Sequence, residues 1–150
     1  MAHLAPQDSK VGSFDWITEF DGIEKYLEPL FIGLDHIPKE NIRVLVAGCG
    51  TSKLSAELAD KGFGSIVSVD NDVECIAHMK TMHSGDDRLQ WFTYDMVDPE
   101  ASSASRATRD GLGTFEMIVD KGTLDAILVE GTYCRLGASF DNLFYYFLRL

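Results

Sequence analysis

The sequence is poor in cysteine, with Cys49, Cys75 and Cys134 far apart and no CxxC pair. That spacing argues against a disulfide framework or a zinc site and suits a reducing compartment, so the cytoplasm is the expected location. No apolar run approaches the roughly 20 residues needed to cross a bilayer, and no membrane partner is expected. Residues Met1 to Lys10 have neither the apolar run nor the basic flank of a signal peptide. Positive charge is also scarce: 13 Lys and Arg stand against 24 Asp and Glu, for a formal net charge of −11. Such a surface repels phosphate backbones, so no nucleic-acid partner is expected. A basic protein or a small cation is favoured, although acidity of this kind also serves solubility alone. The four histidines form no ligand set. His78 and His83 are five apart, a poor spacing for one helical face, and His3 and His36 fall in predicted loops. No GxSxG elbow and no Walker A loop occur, and no metal is expected.

What is present is a core. Hydrophobic residues make up 45% of the 150-residue chain and aromatics 11%, enough for one domain. Residues 1–13 are polar and read as a flexible N-terminus, with the domain running over 14–150. Phe14, Ile17, Phe20, Ile23, Tyr26, Leu27, Leu30 and Phe31 recur mostly at helical spacing, as two short helices. Strands are predicted over Asn41–Ala47, Ser65–Asp70, Leu89–Tyr94 and Phe115–Val119. Helices alternate with them over Thr51–Lys61, Asp72 to about His83 and Thr123–Val129. The stretch Ala101–Gly113 reads as a surface loop or insertion. A final helical run holds Leu143, Phe144, Phe147, Leu148 and Leu150. Strands alternating with helices predict an α/β fold with a parallel sheet, whose ligands bind beyond the carboxyl ends of the strands.

Each predicted strand ends on, or just before, a notable residue: Gly48, Asp70, Asp95 and Asp120. Gly48-Cys49-Gly50 follows the first strand at once, as a turn that lets backbone approach a ligand or as a plain strand-to-helix turn. The helix behind it offers N–H groups to the carboxylate of an amino-acid ligand. Lys53 stands where a dinucleotide fingerprint has its third glycine, which counts against NAD. Asp70, 20 residues after Gly50, is placed for ribose hydroxyls. Its alternative is a helix cap, which Asn71 or Asp72 could equally supply. Asp95 is placed for an adenine amine, with Met96 beside the base, or else caps its own loop. Asp120 and Lys121 end the fourth strand where a transferable group would lie. Asp120 alternatively caps the next helix, and Lys121 alternatively faces solvent.

These segments match a known pattern. VLVAGCGTSKLSAEL, Val44–Leu58, resembles the first motif of class I S-adenosylmethionine-dependent methyltransferases. FEMIVDKGTLDAIL, Phe115–Leu128, is more specific. It resembles the fourth-strand motif of the eukaryotic methyltransferase-like group that modifies elongation factor 1A on lysine or on its N-terminus; FDW, Phe14–Trp16, followed by a helix into the first strand, also resembles that group. The resemblance implies a Rossmann-like methyltransferase with S-adenosyl-L-methionine as cofactor. It places Gly48 and Gly50 under the methionine part, with Cys49 between them, and Asp70 on the ribose with Asn71 beside it. Asp95 and Met96 flank the adenine, Asp120 lies next to the methyl group, and Trp16 belongs to an arm closing over the cofactor. Asp120 and Lys121 are the catalytic candidates.

The implied function is methyl transfer to a protein lysine or N-terminal amine, with a translation elongation factor as one candidate substrate. The alternative is a non-catalytic cofactor-binding subunit or truncated pseudo-enzyme acting through protein–protein contacts. Two departures from the family bear on this. The tryptophan- and arginine-bearing motif upstream of FDW is missing, and the family pattern continues past the fourth strand by more strands and helices. A sheet of four strands in the order 3-2-1-4 is therefore expected, with C-terminal strands missing. Its fourth strand would form an open apolar edge, inviting a homodimer through the helix Phe140–Leu150 or completion by another chain.

Overall fold

The computed structural model describes residues 22, 24–27, 34–98, 100, 103, 108, 111–129 and 146–149. Trp16 and the FDW segment, most of the 101–113 insertion, and Cys134 lie outside the described residues. Five strands form one parallel sheet: β1 (Arg43–Ala47), β2 (Ser65–Asp70), β3 (Leu89–Thr93), β4 (Met117–Asp120) and β5 (Tyr146–Arg149), in the order β3-β2-β1-β4-β5. Helix α1 (Leu54–Asp60) follows β1, α2 (Val73–Met82) follows β2, and α3 (Thr123–Val129) follows β4.

Strand patterning accounts for the layering. Successive side chains on a strand face opposite ways, so a sheet covered on both sides needs unbroken apolar runs. Val44 and Val46 of β1, Ile66 of β2 and Met117 and Val119 of β4 enter one buried cluster, with Leu54 and Leu58 of α1 and Ile76 and Met79 of α2. Leu45, Val67, Val69 and Ile118 enter the other, with Tyr94, Met96, Phe115 and Ile127 of α3. Each such side chain contributes about 1.5–3 kcal/mol by leaving water. Ser55 of α1 and Ser68 of β2 are both buried and satisfy each other at 2.7 Å between hydroxyl oxygens, a polar pin inside the first cluster. The backbone of β1 pairs with β2 on one side (Ala47 opposite Val69) and with β4 on the other (Ala47 opposite Asp120).

Two sequence expectations are corrected. Phe115 and Glu116 are not part of the fourth strand, which begins at Met117. They belong to an approach segment clamped by Arg43. Its guanidinium donates to Leu112 O (2.9 Å) and Thr114 O (2.7 Å) and lies 4.7 Å from the centre of the Phe115 ring, while Glu116 Oε2 accepts from Arg43 N–H at 2.8 Å.

Tyr146–Arg149 is a strand, not a helix, and it pairs in parallel with Met117–Asp120. An aromatic, apolar run of this length fits a buried strand as well as a helix. What decides is the second row of N–H and C=O groups on β4, which β5 satisfies. The sheet therefore has a fifth strand rather than ending at 3-2-1-4, and β4 is interior, with β5 at that end of the described sheet. Residues 140–145 and Leu150 lie outside the described residues.

Candidate functional site

The chain builds β1, β2 and β3 outward to one side, then returns to lay β4 on the other side of β1. Connections leave a crevice at such a switch point, beyond the carboxyl ends of the strands. A cleft of about 490 Å³ lies there, lined by the turns after β1, β2, β3 and β4 and by Ala126 and Ile127 of α3. Sequence reading placed Gly48, Cys49, Gly50, Asp70, Asn71, Asp95, Met96 and Lys121 on this rim, and all eight line the cleft.

The two glycines of the β1 turn serve different ends. Both have left-handed backbone, φ +61° at Gly48 and +50° at Gly50. A Cβ built on Gly48 would lie 1.9 Å from Thr123 Oγ1, so the missing side chain makes room for Thr123 rather than for a ligand. The Thr123 hydroxyl donates to Ala47 O at 3.0 Å and lies 3.4 Å from Gly48 O, which latches the β4–α3 turn onto the β1 turn. Gly50 instead faces open space, with nothing within 4 Å of a built Cβ. It is the glycine over which a ligand can settle. Cys49 between them turns its side chain into the core and its N–H to Val69 O at 3.0 Å, so its share in the cleft is a small edge.

The acids divide in the same way. Asp70 Oδ2 accepts from Gly50 N–H at 2.9 Å and Oδ1 from Asp72 N–H at 3.0 Å. A carboxylate has about four acceptor sites, so these two bonds fix its orientation and leave capacity for ligand hydroxyls. The capping of α2 falls to Asp72, whose Oδ1 accepts from Glu74 and Cys75 N–H at 2.9 and 3.1 Å. Exposed Asn71 lies between the two. Asp95 Oδ1 accepts from Val97 and Asp98 N–H at 2.9 and 3.1 Å, so it shapes its own loop as well as lining the cleft. Met96, nine-tenths buried, supplies apolar wall beside it.

Asp120 is placed elsewhere. It is fully buried, absent from the cleft lining, and its Oδ1 accepts from Thr123 N–H at 2.9 Å and Leu124 N–H at 3.3 Å. A carboxylate under the first turn of α3 complements that helix end. Asp120 therefore caps α3, the alternative the sequence left open, and is buried behind the cleft rather than on the rim where it was expected. Lys121, the next residue, does line the cleft.

Sequence reading missed Cys75 and Thr123. Both face the cleft because the first turns of α2 and α3 border it. The signal was available, since each follows a strand-ending acid by a few residues. Burial raises the Cys75 thiol to about 11, with the Asp70 and Asp72 carboxylates adding to the shift. Burial, then Asp70, pushes Cys49 up as well. Among the described residues no group of three or more His, Cys, Asp or Glu is placed to hold a metal.

Comparison with known proteins now bears on this cleft. No family model matches the chain. The chain is 34% identical over 117 residues to mouse EEF1A lysine methyltransferase 4, covering 78% of this chain and 40% of that protein. It is 35% identical over 140 residues to mouse eEF1A lysine and N-terminal methyltransferase, covering 85% of this chain and 18% of that protein. The chain belongs to the class I S-adenosylmethionine-dependent methyltransferases. It spans about two fifths or less of the length of these two relatives. The crystal structure of the bifunctional kinase-methyltransferase WbdD shares the fold, with a TM-score of 0.53 at 16% identity over 76% of this chain and about a quarter of that one. In this methyltransferase fold the cleft at the β1/β4 switch, with its glycine turn and strand-ending acids, is the cofactor site candidate.

Proposed function

We propose that this cleft binds S-adenosylmethionine and that the protein transfers its methyl group to a protein amine, a lysine or an N-terminus, of elongation factor 1A. The observation that carries the reading is Asp70. Its carboxylate is tied to the glycine turn through Gly50 N–H and to the α2 cap through Asp72 N–H, with acceptor capacity remaining on the rim. The open space over Gly50 leaves room for a ligand backbone, and Met96, Val97, Ala126 and Ile127 supply apolar surface for a purine. Asp95 offers an acceptor for its amine.

When bound, the cofactor supplies an electrophilic methyl group on a sulfonium. The chain's own residues bind, orient and exclude water; positioning of this kind is worth up to about 7–11 kcal/mol when the bound geometry is close to reactive. The carboxylates of Asp70, Asp72 and Asp95 make the lining favourable to positive charge. An amine acceptor must reach the cleft neutral, and apolar surroundings lower its pKa in the needed direction. The formal charge of −11 favours a basic protein partner, and the two relatives carry elongation factor 1A in their names. Two described free thiols, Cys49 and Cys75, are compatible with a reducing compartment such as the cytoplasm.

The test is incubation of the protein with methyl-labelled S-adenosylmethionine and purified elongation factor 1A, followed by mass spectrometry of the acceptor. Label on a lysine or the N-terminus that disappears with Asp70→Ala supports the reading. Unlabelled factor despite cofactor binding removes the acceptor assignment, and no cofactor binding removes the whole.

A further inference from the structure

The β1 turn that borders the cleft is built on two glycines with left-handed backbone, and glycine takes either sign of φ about equally well when nothing restrains it. The shape of the turn must therefore be held by its neighbours. On the β2 side two bonds hold its later part: Cys49 N–H donates to Val69 O at 3.0 Å and Gly50 N–H to Asp70 Oδ2 at 2.9 Å. On the β4 side Thr123 holds its start. The Thr123 hydroxyl donates to Ala47 O at 3.0 Å and lies 3.4 Å from Gly48 O.

Thr123 can do this because its own backbone is fixed. Buried Asp120 accepts from Thr123 N–H at 2.9 Å through Oδ1, and Asp120 itself stands opposite Ala47 in the β1–β4 pairing. Both arms of the threonine are then in use. A Cβ built on Gly48 would lie 1.9 Å from Thr123 Oγ1 and 2.6 Å from its methyl carbon, so the methyl group packs over the glycine while the hydroxyl bonds the carbonyl just before it. A β-branched side chain has few χ1 choices, so holding this two-point contact costs little entropy.

Resting on the reading of the cleft as a cofactor site, we propose that Thr123 is a positioning residue: through the bond from its hydroxyl to Ala47 O it keeps the Gly48-Cys49-Gly50 turn in the shape that accepts the cofactor. It acts on the turn and not on the ligand. Without the hydroxyl the turn spends less time in that shape, and the apparent affinity falls in proportion to the competent fraction. The methyl group contributes packing, which bears on stability more than on binding.

The experiment compares the wild type with three variants. Thr123→Val keeps the shape and removes the hydroxyl, and Thr123→Ser keeps the hydroxyl and removes the methyl. Ser55→Ala breaks the buried Ser55–Ser68 pair, which lies outside the cleft lining, and serves as a control for lost stability. Each is titrated with S-adenosylmethionine by calorimetry, and amide hydrogen exchange at the turn is followed without ligand. Thr123→Val is expected to lose about tenfold in affinity, the size of one unmade hydrogen bond, and to exchange faster at Cys49 and Gly50. Thr123→Ser keeps most of the affinity, and Ser55→Ala binds as the wild type does. Should Thr123→Val not fold, Thr123→Ala takes its place with the same expectation. Wild-type affinity in Thr123→Val, or equal losses in Thr123→Val and either of the other two variants, overturns the proposal. So does a loss of affinity with exchange at the turn unchanged, which would make Thr123 a ligand contact. A folded wild type that binds no S-adenosylmethionine overturns the reading of the cleft, and the role of Thr123 falls with it.

Discussion

Thr123 fills the place where Gly48 would carry a side chain: its Oγ1 lies 1.9 Å from a Cβ built on that glycine, and the hydroxyl donates to Ala47 O. The two residues are 75 apart in sequence. One contact thus locks the β1 turn to the β4 turn and sets the width of the cleft between them.

Gly48→Ala is therefore expected to destabilise the fold by two separable effects. Left-handed backbone costs a non-glycine residue about 1–2 kcal/mol, and overpacking against Thr123 adds about 1–3 kcal/mol. The double change Gly48→Ala with Thr123→Ala should recover part of the second cost and none of the first. Urea unfolding of the three variants reads this directly. A double variant whose loss equals the sum of the two single losses would show that the contact is not the source.

Gly50→Ala should behave differently. Its added Cβ meets nothing within 4 Å, so stability falls by only the backbone cost of about 1–2 kcal/mol. Cofactor affinity should fall by more than stability does, because the methyl group occupies the space the ligand needs. Calorimetry beside thermal unfolding separates the two. Unchanged affinity would move the ligand away from this turn.

Cys75 gives a pH-dependent check on the electrostatics of the rim. Burial, then Asp70 and Asp72, raises its thiol from the ordinary 9.0 to about 11 in the folded protein. Folding thus favours the protonated thiol, and this contribution is present below about pH 9 and lost as pH rises through about 11. Labelling by iodoacetamide should accordingly be slow at neutral pH and climb steeply toward pH 11. Asp70→Asn should shift the climb to lower pH. A labelling profile centred at the usual thiol range would contradict the raised value.

How much of this could be read from the chain alone depended on range. Strand β2 and helix α3 are found where apolar patterning put them, Ser65–Asp70 and Thr123–Val129, because their signals are local. The rim residues Gly50, Asp70, Asn71, Asp95 and Met96 were legible because strand ends in a parallel sheet fall on one side. The errors came from long-range partners. Phe115 looks like strand until Arg43, some 70 residues away, claims its neighbours' carbonyls. Tyr146–Arg149 looks helical by spacing until β4 offers it a backbone to pair with. The second role of Gly48, which lines the cleft as expected, was hidden for the same reason: Thr123, which its missing side chain accommodates, is 75 residues away.

The account stands or falls on the cleft as an S-adenosylmethionine site organised by Asp70, and one calorimetric series tests it: wild type and Asp70→Ala, each titrated with S-adenosylmethionine and with NAD. The wild type should bind S-adenosylmethionine and not NAD, and Asp70→Ala should lose about 1.5–3 kcal/mol of that affinity, the range for hydrogen bonds to a charged group, while circular dichroism shows it folded. A folded Asp70→Ala that binds S-adenosylmethionine as the wild type does, or a wild type that takes NAD equally well, would contradict it.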